Sequence, residues 1–117
     1  MENIKLEGTF KILDYRLSHQ LLLIRASHRS DDILSNTDLL FENVFYVEVA
    51  ESFKNPIIEK ANQEEIEYVR QKSNYNISLQ RSNVFVLKCG KFKYYIGGRK
   101  LKVSKNILPP LESSIRT

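Results

Sequence analysis

The sequence predicts an α+β fold that is mostly β: an antiparallel sheet or small sandwich, or a partly open barrel, with one short helix over about 62–72. Three observations lead there. Ile4, Leu6, Gly8, Phe10 and Ile12 alternate with Lys5, Glu7, Thr9 and Lys11, the period of a strand with one buried face. Further short runs rich in β-branched and aromatic residues follow at close intervals, separated by turn residues. Only one segment carries helix signals. Strands that can be joined by short connections pair antiparallel, and a lone helix then packs against the sheet.

The elements follow in order. After Ile12 the apolar positions shift by one, to Leu13, Tyr15 and Leu17, as a β-bulge or sharp bend requires. Ser18 and His19 form a turn into the apolar strand 20–26, expected to be covered on both faces. Residues 27–36 are polar and read as the longest irregular segment of the N-terminal half. A strand over 44–49 follows, then an Asn55-Pro56 turn within 53–58. Asn62 with Glu65 outlines a capping box, although such boxes favour Ser or Thr at the cap. Glu64, Glu65 and Glu67 precede Arg70 and Lys72, the order that the helix dipole prefers, and Ile66 and Val69 supply an inward face. Strands 77–81, 84–88 and 92–96 come next, the last two joined by a hairpin at Cys89-Gly90-Lys91. Gly97-Gly98 then turns into 101–104. Paired glycines and a shifted alternation both bend sheets, which is why a partly open barrel remains an alternative. The segment 106–117, with Pro109-Pro110, cannot continue a ladder and is expected to lie along the surface or to be mobile.

At 117 residues, with 42% apolar and 27% charged, the chain suits one globular domain spanning 1–117. Burying roughly two thirds of its unfolded surface suffices for one modest core. No uninterrupted apolar run exceeds that of 21–24, so no membrane-spanning helix is expected. The single cysteine, Cys89, excludes an intrachain disulfide, and MENIKLEGTF lacks the apolar stretch of a secretory signal. A cytoplasmic location is expected, and Asn76-Ile77-Ser78 then has no role as a glycosylation sequon.

Charge is divided unevenly along the chain. Residues 1–67 hold 13 acids against 7 bases, a net of −6, whereas residues 68–117 hold 11 bases against Glu112 alone, a net of +10. Either the two halves interleave their charges on one surface, or the bases converge and bind an anion. Lys88, Lys91, Phe92, Lys93, Tyr94, Tyr95, Arg99 and Lys100 combine lysines with aromatic rings, as in platforms that bind single-stranded nucleic acid. Alternation places Phe92, Tyr94 and Ile96 in the core and leaves Lys91, Lys93 and Tyr95 outside, which weakens that reading. Lysines along an exposed strand also serve simply to prevent edge-to-edge pairing.

Catalytic and cofactor chemistry find little support. The four glycines, Gly8, Gly90, Gly97 and Gly98, match neither dinucleotide nor P-loop spacing. His19 and His28 are the only histidines, and a metal site would need them to converge with Asp31 or Asp32. His28 near Arg25 and Arg29 suggests a small nuclease-like enzyme, with the imidazole moving a proton and the arginines stabilising phosphoryl charge; His19 is the other candidate. No catalytic residue, metal ligand or small-molecule cofactor is therefore assigned. The favoured expectation is a small non-catalytic binding protein acting through protein–protein contacts, of adaptor or toxin-neutralising type, or through self-association. The expected contact residues are Lys88, Lys91, Lys93, Tyr95, Arg99, Lys100 and Lys102. A nucleic-acid-binding module using the basic C-terminal half is the alternative, and the nuclease-like enzyme comes third.

Overall fold

Two bent strands, each with a second bent strand beside it, pass from one sheet into the other and organise the molecule. The computed structural model describes residues 2–78 and 80–115. Strands β1 (Ile4–Lys5) and β2 (Thr9–Arg16) belong to the first bent strand, with its corner at Gly8. Beside it run β6 (Ser52–Lys54) and β7 (Ile57–Lys60), with a corner at Asn55-Pro56. The corners grip each other, since Gly8 N donates to Asn55 Oδ1 at 2.8 Å and Asn55 N donates to Gly8 O at 2.9 Å. Gly8 has φ 116° and Asn55 φ 49°, left-handed values that glycine and asparagine tolerate best.

The second bent strand holds β4 (Ile33–Glu42) and β5 (Tyr46–Glu48), alongside β9 (Phe92–Gly98) and β10 (Lys100–Asn106). Its corner is fastened by Phe45 N to Gly97 O at 2.9 Å and Arg99 N to Glu42 O at 2.8 Å. With β3 (Leu21–Ser30) and β8 (Asn83–Cys89) these make two five-stranded antiparallel sheets. The first has the order β1-β7-β8-β9-β5 and the second β10-β4-β3-β2-β6. The sheets do not close into a barrel, and with 54% strand and one α-helix among the described residues the fold is α+β, mostly β.

Phe10, Ile24, Leu39, Phe41, Ile58, Phe85, Leu87 and Ile96 fill the space between the sheets. The alternate side of the first sheet carries Val84, Tyr46 and Tyr95, which pack with Ile66 and Val69 of helix α1 (Gln63–Ser73). The layers are therefore helix, sheet, sheet. Asn62 caps the helix through a complete box with Glu65, and Asn74 ends it at φ 51°. The shift in alternation is a bulge between Ile12 and Asp14 in the β2–β3 ladder.

Three segments depart from the sequence reading. Residues 27–36 are not irregular: β3 continues to Ser30 and β4 starts at Ile33, joined by Asp31 and Asp32 at φ 50° and 68°. Such a two-residue turn matches the natural twist of a hairpin. The polar composition reflects outer and end-of-sheet positions rather than a loop. The expected strand 77–81 does not form; Ile77 is buried against the helix instead, and Leu79 lies outside the described residues. The expected core residue Phe92 is 56% exposed, because it sits at the hairpin tip beyond the cover of the second sheet.

Candidate functional site

The seven expected contact residues divide into three places. Lys88, Lys93 and Tyr95 lie on the side of the first sheet that helix α1 covers. Lys93 Nζ meets Glu65 Oε2 at 3.0 Å, Lys88 pairs with Glu59, and the Tyr95 ring packs on Tyr68 with centroids 5.1 Å apart. Tyr46 and Tyr68 both donate their hydroxyls to Glu48 Oε1. The face expected to point outward is thus a helix-to-sheet contact, and its lysines are neutralised by acids of the N-terminal half. Glu65 shows the balance: burial pushes its carboxyl up, but the Asn62 amide and Lys93 outweigh this and hold it below the usual carboxylate range. The hydrogen bond to Glu65 raises Lys93 in turn. The carboxylate of Glu48 raises the phenol of Tyr68, and burial raises that of Tyr95.

Lys91 stands alone at the β8–β9 hairpin tip, its ammonium 5.7 Å from the Phe92 ring centroid. Arg99, Lys100 and Lys102 stand at the far end of β9 and along β10, all exposed, with no ion pair among the described residues. β10 is an edge strand, paired only with β4 from Lys100↔Glu42 to Asn106↔Asn36. It has seven residues, against two or three for the other edge strands β1, β5 and β6. A row of backbone donors and acceptors without a strand partner among the described residues therefore runs beside Lys102 and beside Lys100, which faces Glu42 across the ladder without an ion pair. This is the candidate surface that the geometry isolates.

The histidines do not converge. His19 sits in the turn before β3 and His28 near its far end, so the extended run from Leu21 to His28, roughly 23 Å, separates them. Arg25 does not accompany His28 either. Alternation puts Arg25 on the opposite face, where its Nε and Nη2 bind both carboxylate oxygens of Asp38 at 2.7 and 2.9 Å. Among the described residues, no group of three or more His, Cys, Asp or Glu side chains is arranged to hold a metal ion. Cys89 is a free, half-buried thiol, pushed up by burial and away from the thiolate form.

Sequence reasoning missed the pair Arg25–Asp38, which is the centre of the most extensive buried polar network among the described residues. Arg25 Nη1 donates to the carbonyls of Pro109, Pro110 and Glu112 at 3.2, 3.1 and 2.7 Å. Asp38 Oδ2 accepts from Asn106 and Ser114, each at 2.7 Å. Asn36 donates to Leu108 O at 2.9 Å. The segment expected to lie on the surface or to move freely is thereby fastened to the outer face of the second sheet as far as residue 115. Residues 116 and 117 lie outside the described residues. An arginine within an apolar strand was the available signal, since a buried guanidinium demands a partner.

No family model, curated protein or solved structure matches this chain. No helix among the described residues is long and apolar enough to cross a membrane.

Proposed function

We propose that this chain is a small, non-catalytic binding protein that takes an extended acidic segment of a protein partner along the free edge of β10. The observation that carries the reading is the seven-residue edge with Lys100 and Lys102 exposed on it and no ion pair to either among the described residues. An added strand satisfies the edge amides and carbonyls, while side chains at alternate positions supply selectivity. Lysines two apart on one face call for carboxylates at the same spacing on the incoming strand, and they repel a second copy of the same edge. Arg99 extends the positive field that steers an acidic partner inward. Lys88 and Lys93 are spent on Glu59 and Glu65, which leaves too few free cations on that face for a continuous track along a phosphate backbone. The free thiol Cys89 suits a reducing compartment, and we place the protein in the cytoplasm.

The test is selection from a displayed library of eight-residue peptides with Asp or Glu fixed at alternate positions, followed by anisotropy titration of the selected peptide and of a labelled single-stranded oligonucleotide. The peptide is expected to saturate, to lose binding when its central amides are N-methylated, and to weaken at least about ten-fold against K100E/K102E. Failure to select any peptide, with oligonucleotide binding that weakens log-linearly with salt, would overturn the reading in favour of nucleic acid.

A further inference from the structure

On the inner side of the second sheet the apolar rows stop before the strands do. Leu22, Ile24 and Ala26 of β3 are followed at the same alternation by His28. Leu39 and Phe41 of β4 are preceded by Thr37 and Ser35, and Leu101 of β10 leads, past Val103, to Lys105. The ladder sets these polar positions side by side, with His28 opposite Ser35 and Thr37 opposite both Ala26 and Lys105. Facing positions in such a ladder lie roughly 5 Å apart. A run of polar side chains pointing into a sandwich contributes nothing to its core. Here it forms one wall of a cleft of about 380 Å³, and Lys5 and Glu7 form the other.

The wall is built rather than loose. Thr37 is only 5% exposed, and its hydroxyl lies 3.2 Å from His28 Nε2. The His28 ring packs over Gly8, where an added Cβ would approach Cε1 to 2.6 Å. The glycine at the first corner therefore makes the room that the ring occupies. Lys5 and Lys105 make no ion pair among the described residues, not even with Glu7.

The geometry points to this cleft as a binding site for a small phosphomonoester. Two ammonium groups from opposite walls match the charge of about −1.5 to −2 on a phosphoryl group, and the hydroxyls of Ser35 and Thr37 and the imidazole of His28 supply hydrogen bonds. Glu7 accepts from a hydroxyl on the body of the ligand and repels a second phosphate, which disfavours a polynucleotide. The volume suits a ligand of sugar-phosphate size and falls at the lower end of ordinary ligand clefts. The site is separate from the β10 edge, because Lys105 alternates to the inner face while Lys100 and Lys102 lie on the outer one.

The full chain labelled with nitrogen-15 is titrated with inorganic phosphate and with glycerol phosphate, at fixed pH and at an ionic strength matched with chloride. Saturating shifts are expected at His28, Ser35, Thr37 and Lys105, with glycerol phosphate binding more tightly than phosphate and Glu7→Gln narrowing that difference. Lys5→Met and Lys105→Met are each expected to weaken phosphate about ten-fold, and Thr37→Val to weaken it less. Both lysines are exposed, so these variants keep their fold, which circular dichroism checks. K100M/K102M is expected to leave phosphate affinity unchanged. Shifts that never saturate, or an equal loss in K100M/K102M, would overturn the site by showing general screening of surface lysines. Glycerol phosphate binding no more tightly than phosphate would overturn the role of Glu7.

Discussion

Asp38 is 1% exposed and Arg25 is 5% exposed, so their ion pair is almost free of solvent screening. Burial by itself pushes the Asp38 carboxyl up. The hydrogen bonds from Arg25, Ser114 and Asn106 outweigh it and hold the group below the usual carboxylate range. A carboxyl depressed on folding stabilises the native state fully above its unfolded value near 4, and the contribution is lost as pH falls through the lower native value. Acidification below about pH 4 is thus expected to release the C-terminal segment, read as lost hydrogen-exchange protection at residues 111–115 before the β3–β4 ladder opens. Asp14, lowered chiefly by a hydrogen bond from Ser113, acts in the same direction. Asp38→Asn leaves the Arg25 charge buried without its counterion and is expected to cost about 3 kcal/mol in a urea melt. Retained stability in that variant would mean that water or a tail carbonyl takes over the guanidinium.

Helix α1 shows how a short element with a weak apolar face is kept in place. An isolated helix of 11 residues is marginal in water, and this one buries only Ile66 and Val69. The rest comes from its ends and its charged side: the box at Asn62, the left-handed Asn74, and the links from Glu65 to Lys93 and from Tyr68 to Glu48. Asn62→Ala is expected to cost about 1 kcal/mol with an unchanged denaturant slope. A much larger loss would show that the capping box also positions Glu65 over Lys93. The box was legible from Asn62 and Glu65 because both partners lie within four residues. The surface under the helix was not, because alternation in β9 separates two faces without saying which one another element will cover.

At the scale of the molecule, two corners join the sheets, so neither sheet is an independent unit. At the second corner Gly97 lies directly against the Phe45 ring, which leaves no room for a Cβ, and a Cβ added at Gly98 would lie 3.1 Å from Glu42 O. Gly97→Ala forces the ring or the corner to shift and is expected to cost about 1–3 kcal/mol. Because the strain sits where β4–β5 and β9–β10 pass between sheets, unfolding should remain a single transition when probed in either sheet. Separate transitions would mean that the corner is a hinge. Adding Phe45→Leu to Gly97→Ala should recover part of the loss, a coupling that a double-mutant cycle measures.

Local chemistry was enough to predict a mostly β chain with one capped helix, a bulge or bend after Ile12, a hairpin at Gly90 and a change of direction at Gly97-Gly98. Periodicity, caps and turn residues act over a few positions, and the sequence displays them directly. The pairing of Arg25 with Asp38, the covering of Lys93 and Tyr95, and the meeting of Lys5 with Lys105 across a cleft join residues 13 to 100 positions apart. Such contacts depend on which strands become neighbours and which side of a sheet is covered. A strand's alternation is the same on either side, so the choice is made by the packing of the whole chain, where burial of the apolar rows outweighs any local preference.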